Sequence, residues 1–164
     1  MREQERSGMS TMTDVKTPAR KRFRTETVSG IVGYRLRRAQ MHVFQQFNLH
    51  FAEFDLRPAE FSVLALIADN PGSKQTEIAH ALGIKRANFV ALINGLDARG
   101  LTERRLLAGD RRSHALFLTA QGEQTMHRLN KAQAQFEAKW VAKLGGPESR
   151  DQLLTLLDRL VAKD

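Results

Sequence analysis

"LLAGDRRSHALFLT", Leu106 to Thr119, decides how the rest of the sequence is read. Two apolar-rich runs flank a charged tip, Gly109-Asp110-Arg111-Arg112. A turn needs a residue free to adopt unusual backbone angles and some polarity, and Gly109 and Asp110 supply both. Two adjacent arginines are more than a turn requires. With "LTERRL" from Leu101 and "SHALFL" from Ser113 as strands, the pattern predicts a hairpin. Its tip lies at Ala108 to Arg112, in a loop longer than two residues.

Upstream of the hairpin, apolar spacings of three and four predict two short helices. The first covers about Lys74 to Leu82, with Ile78, Ala79 and Leu82 inward, and stops at Gly83. The second runs from about Arg86 to Arg99, with Phe89, Leu92, Ile93 and Leu96 inward, and Gly100 supplies a left-handed stop. Two helices joined through a glycine-containing turn form a helix-turn-helix, and a hairpin directly after it is a wing.

Further out, Val28, Val32, Leu36, Ala39, Val43, Phe47, Phe51 and Phe54 predict one long amphipathic helix ending near Asp55 to Pro58. Pro58 suits the first position of the next helix, whose stripe reads Phe61, Leu64, Ala65 and Ala68 before "DNPG" (Asp69 to Gly72) stops it. After the wing, Thr119 can cap a helix that carries Met126, Leu129, Gln133, Phe136, Trp140 and Leu144 on one face. "GGP" (Gly145 to Pro147) breaks it ahead of a last helix with Leu153, Leu156, Leu157, Leu160 and Val161.

The predicted fold is therefore mainly α with a small β-hairpin wing, a winged helix-turn-helix with N- and C-terminal dimerisation helices. Residues 1–27 read as a disordered basic tail and 28–57 as the first dimerisation helix. Residues 58–118 form the DNA-binding domain and 119–164 the C-terminal dimerisation helices. The outer helices are long and apolar and flank a domain too small to cover them, so a homodimer is expected. The simpler alternative is that they pack on each other within one chain.

Charge placement points to a partner. Residues 1–27 hold seven Lys/Arg against four acids, and residues 84–112 hold seven against three. These windows supply seven of the eight excess positive charges of the chain. Concentrated positive charge suits a polyanion, nucleic acid first and anionic lipid second. A charge run can also be no more than a solvated face. No cysteine is present, which removes disulfides, thiolate chemistry and cysteine-ligated metal. The five histidines are scattered, so no metal site is expected. No apolar run approaches the roughly 18 residues of a membrane span, and no apolar signal core is evident, so the chain is expected in the cytoplasm on the nucleoid. A glycine-rich phosphate loop, a nucleophile elbow and HExxH are all absent, so neither enzyme nor cofactor is expected.

A helix fits the major groove and reads base edges with its N-terminal side chains. The second helix of the pair opens Lys85-Arg86-Ala87-Asn88. Lysine and arginine grip guanine, asparagine suits adenine, and small Ala87 and Ala91 let the helix seat deeply. Arg111 and Arg112 are suited to the minor groove, where narrow A·T tracts deepen the negative potential. Asp110 is placed to pair with an arginine, a neighbour or one of the strand residues Arg104 and Arg105, and to aim it.

The string "QTEIAHALGIKRANFVALINGLDARGLTERRLLAGDRRSHALFLTAQGE", Gln75 to Glu123, resembles the MarR family of bacterial winged helix-turn-helix regulators. The likeness extends over about Val28 to Val161, and the Asp-Arg-Arg wing followed by "LFLTAQG" is its most specific part. The resemblance implies a dimer on a pseudo-palindromic operator in double-stranded DNA, with reading helices roughly 34–36 Å apart. It gives Asp110, Arg111 and Arg112 the wing role and Lys85, Arg86 and Asn88 the recognition role. Lys74, Gln75 and Thr76 take the phosphate-contacting start of the preceding helix, where lysine replaces the usual hydroxyl residue. The cysteine of the family's redox sensors is missing.

A small-molecule effector is implied by the same resemblance. Arg35, Arg38 and His42 form one polar stripe on the first helix, and Tyr34, Phe47, Phe51 and Trp140 are candidate aromatic walls. Such a set suits an aromatic acid or its coenzyme A thioester, and "GYRLRRAQMHVF" is similar to the subgroup that responds to aromatic acyl-CoA. The expected function is a repressor released by that ligand; the alternative is an architectural DNA- or RNA-binding protein without an effector. Arg112→Ala should weaken operator binding by about 1–3 kcal/mol with the dimer intact. A footprint titration with unchanged affinity would remove the wing role.

Overall fold

The computed structural model describes residues 23–107 and 110–162, and at Leu107 and 110–113 it describes the backbone alone. The chain divides into two compact units, Met1–Arg37 and Arg38–Asp164. In the first, α1 (Glu26–Ser29) is a single turn that ends at Gly30, and Val32 then opens α2 (Val32–His50), which continues into the second unit. The Arg35 Nε donates to the Ser29 carbonyl at 2.6 Å.

The long first helix expected from the apolar spacing is thus three pieces. Glycine is costly inside a helix, and the chain takes its break at Gly30. At the far end α2 stops at His50, and Ala52–Phe54 forms a 3-10 turn. Asp55 then adopts the left-handed conformation at φ 48°, which aspartate tolerates better than most residues. The expected tail also ends early, because α1 begins at Glu26; residues 1–22 lie outside the described part.

The second unit continues with α3 (Pro58–Asp69), α4 (Gln75–Ala81), α5 (Arg86–Ala98), β1 (Thr102–Leu107), β2 (Asp110–Leu118), α6 (Ala120–Leu144) and α7 (Pro147–Val161). Its core is built on Phe51, Val63, Leu64, Ile67, Phe89, Ile93, Leu96, Leu116 and Leu129. The α3 stripe differs from the expected one. Val63, Leu64 and Ile67 point inward, Phe61 and Ala65 are half-buried, and Ala68 is exposed. This helix is apolar nearly all round, so its own pattern does not choose a face; packing against α5, α6 and β2 does.

The hairpin also departs in detail. β2 starts at Asp110, so residues 110–112 belong to a strand rather than to the tip, and Ala108 and Gly109 lie outside the described residues. Leu106 pairs with His114 but Leu107 with Asp110, so the register shifts beside the two arginines. A bulge of this kind re-aims the residues it displaces. The other edge of β2 is held as well. The Gly72 amide donates to Leu116 O at 2.8 Å, the Leu116 amide donates to Ser73 O at 3.0 Å, and Lys74 bridges to Ala115.

Thr119 caps α6 as expected: its hydroxyl oxygen accepts from the Gly122 amide at 3.0 Å and donates to Gly100 O at 2.6 Å. Gly122 is required there, since a Cβ would stand 2.0 Å from the Leu101 carbonyl oxygen. After α6, Gly145 and Gly146 turn the chain at φ 97° and 121°. Along α7, Leu153, Leu154, Leu156, Leu160 and Val161 are all exposed, Val161 by 79%. No described helix is long and apolar enough to cross a membrane. Gly122→Ala should cost about 1–3 kcal/mol or more, because backbone rather than a pliant side chain must give way. Urea denaturation at fixed protein concentration measures it, and an unchanged midpoint would show that the α6 start relaxes freely.

Candidate nucleic-acid interface and effector cavity

Lys74 is the extended residue that precedes α4, and its amide donates to the Glu77 Oε2 at 2.7 Å. The acid three residues on thus takes this donor, and Gln75 and Thr76 occupy the first turn beyond it. The turn to α5 closes through Gly83 at φ 63°, with its amide on His80 O at 3.0 Å and that of Ile84 on Ala79 O at 3.1 Å. Phe89, Ile93 and Leu96 anchor one side of α5 in the core. Lys85, Arg86, Ala87, Asn88 and Ala91 are exposed. The six expected contacts of the helix pair therefore fall at the first turns of α4 and α5.

Two of the four wing arginines have described carboxylate partners. Arg104 Nε meets Asp97 Oδ2 at 3.0 Å, while Arg105 pairs with Glu103 and lies 4.3 Å over the Phe117 ring. Arg111 and Arg112 stand on β2 with Asp110, and the side chains of all three lie outside the described residues. Arg99, within the same basic window, forks onto two carbonyls, Phe54 O and Asp55 O, each at 2.8 Å.

A cavity of about 560 Å³ opens between the second half of α2 and α6. From α2 come His42, Gln46, Leu49 and His50; from α6 come Phe136, Lys139, Trp140 and Lys143. His42 meets Trp140 edge-on at 5.7 Å, and its Nε2 lies 3.4 Å from Lys143 Nζ. The His50 Nε2 is 2.9 Å from the Ala132 carbonyl, an acceptor, so that nitrogen carries the proton. The buried indole N–H of Trp140 has no hydrogen-bond partner among the described residues. Aromatic faces and two ammonium groups can hold a flat, anionic molecule.

The MarR family model matches residues 54–113, from the 3-10 turn into the wing. A Thauera aromatica protein assigned as the transcriptional regulatory protein for the hcr operon is 32% identical over 139 residues, 84% of this chain and 83% of its own length. The chain belongs to the MarR family. Among solved structures, the transcriptional repressor CouR bound to a 23-mer DNA duplex superposes with a TM-score of 0.80 at 43% identity, over 85% of this chain and 99% of that one. CouR bound to p-coumaroyl-CoA gives 0.78 at 40% identity, over 86% and 99%. The molecule is a transcriptional regulator of the MarR type.

On this MarR regulator two of the expected effector residues share one cavity. His42 and Trp140 line the cavity. Phe47 and Phe51 are buried core rings, stacked 4.1 Å apart. Arg38 is exposed on α2, while Tyr34 and Arg35 belong to the first unit. Lys139 and Lys143 line the cavity as well, outside the expected set. Their signal was present, since Phe136, Lys139, Trp140 and Lys143 fall at i, i+3, i+4 and i+7 on one helix face. Asn88→Ala should relax base preference at one operator position with little change elsewhere. A binding-site selection that returns the wild-type motif would take Asn88 out of base reading.

Proposed function

We propose that this MarR-type regulator is a dimeric, sequence-specific repressor released from its operator by a small aromatic ligand, an aromatic carboxylate or its coenzyme A thioester. The aromatic, lysine-rimmed cavity between α2 and α6 carries the reading. Its volume falls within the roughly 300–1,000 Å³ of small-molecule sites. Phe136 and Trp140 offer faces for a ring, and Lys139 and Lys143 offer charge to a carboxylate or phosphate. The likeness to CouR at 40–43% identity supports both partners, since CouR is described with a DNA duplex and with p-coumaroyl-CoA.

Dimerisation is supported by the exposed leucines of α7, an apolar face of the kind monomers seldom leave open. In this reading residues 28–57 and 119–164 join two copies, and each 58–118 head lays α5 in a major groove with Arg111 and Arg112 toward the minor groove. The chain acts by binding alone, in the cytoplasm, and catalyses nothing. A ligand releases the operator only in so far as it binds the DNA-incompetent arrangement more tightly; tight binding to both arrangements shifts nothing.

Competition of a labelled promoter fragment against bulk DNA should give a preference of about 10³ or more. An aromatic acyl-CoA should then displace the fragment and change the fluorescence of the chain's one tryptophan, Trp140. Replacing Lys139 and Lys143 with alanine should blunt that response with the ligand-free affinity for the promoter kept. Equal affinity for all DNA would establish the architectural reading instead. A fully retained ligand response in the double variant would move the effector out of this cavity.

A further inference from the structure

Asp97 stands where an acid is least favoured, in the last turn of α5, whose free carbonyls already concentrate negative charge. Its carboxylate is nonetheless only partly exposed and fully engaged. Oδ1 accepts from the Thr102 hydroxyl at 2.5 Å, and Oδ2 meets Arg104 Nε at 3.0 Å. Arg104 reaches back with Nη2 to donate to Asn94 Oδ1, nearly a turn earlier on α5. Thr102 is 3% exposed and is the one buried polar side chain among the described residues. Two residues of the reading helix therefore grip two residues at the root of the wing.

We infer that Asp97, Asn94, Thr102 and Arg104 form a clamp that fixes the angle between the reading helix and the wing, and so the offset at which the two grooves are read. This rests on the assignment of α5 and the hairpin as the reading head. Besides the clamp, the wing joins α5 through a turn at Gly100, which sits at φ 67°, and the far edge of β2 is held by Gly72 and Ser73, so the clamp is what ties the root of β1 to α5. β1 spans about 17 Å from Thr102 to its tip, so a pivot of about 10° at the root displaces the tip by about 3 Å. That exceeds the few tenths of an ångström over which a hydrogen bond keeps its strength. Asp97 is thus a positioning residue: it acts on DNA through Thr102 and Arg104.

The clamp and plain electrostatics differ in what one substitution does to the preference for the operator over bulk DNA. Asp97→Asn removes a negative charge near a polyanion, and by charge alone it should tighten binding to every duplex. As the clamp's hub it should instead lower the preference for the operator over bulk DNA by about fivefold to tenfold, with affinity for bulk DNA equal or raised. Thr102→Val, which removes only the buried hydroxyl, should do the same without touching charge. Thr102→Ser restores the donor and should restore the preference. Should Asp97→Asn fail to fold, Asn94→Ala on the exposed face provides the same measurement.

All four variants are measured as the full chain by competition at one salt concentration, together with amide hydrogen exchange along β1 in the DNA-free protein. Loss of preference with faster β1 exchange supports the clamp. An unchanged preference, or a parallel fall on both kinds of DNA, overturns it. If the wild-type protein prefers no fragment, the operator reading fails, and exchange alone then decides: unchanged β1 exchange in Asp97→Asn and Thr102→Val removes the clamp as well.

Discussion

Burial of one side of α5 is the constraint on which the rest depends. Phe89, Ile93 and Leu96 are fully enclosed, and they fix the rotation of the helix about its own axis. A rotation of about 100°, one residue, would carry Lys85, Arg86 and Asn88 away from the exposed side and bring polar groups into a core with no partners for them. The same burial places Asn94 and Asp97 toward the wing root, where Thr102 and Arg104 meet them. Reading helix and wing are thus positioned by one packing decision, reinforced by a small polar cluster.

The cavity is tied to that core through a shared side chain. Phe136 lines the cavity, and its ring also lies edge-on to Phe47 and Phe51 at 5.9 and 5.6 Å. Phe51 in turn meets Phe61 of α3 at 5.8 Å. Close-packed aromatic groups move between discrete arrangements rather than yielding continuously. Phe136 thus belongs both to the cavity wall and to the aromatic cluster that packs against α3. His50 reinforces the link, since its ring lies tilted against Phe136 at 5.3 Å while its Nε2–H donates to the Ala132 carbonyl.

The winged helix-turn-helix was legible because its signals are local. Gly83 and Gly100 mark turns, the α5 apolar spacing admits one inner face, and "TAQG" holds both the Thr119 cap and the glycine that close approach demands. What escaped was set by distance. Arg99 binds carbonyls 44 and 45 residues away, and no pattern within the basic window marks it as structural. The α3 face was ambiguous because apolar residues surround it, and the break at Gly30 was hidden because a lone glycine in a helical pattern is often tolerated. The cavity needed the pairing of a face of α2 with a face of α6. Each face can be written from spacing, but their meeting is a tertiary fact.

Charge shows the same difference between sequence and fold. Residues 84–112 hold seven basic side chains, and a count alone would set all of them against phosphate. Arg99 is held by two carbonyls, Arg104 by Asp97, and Arg105 by Glu103. Each must give up or share an internal partner before it can release a counterion from DNA. Three of the seven are thus engaged within the fold, while Lys85 and Arg86 at the head of α5 are exposed. A count of basic residues therefore overstates the charge that the fold leaves uncommitted, because the partners that engage it are set by tertiary packing.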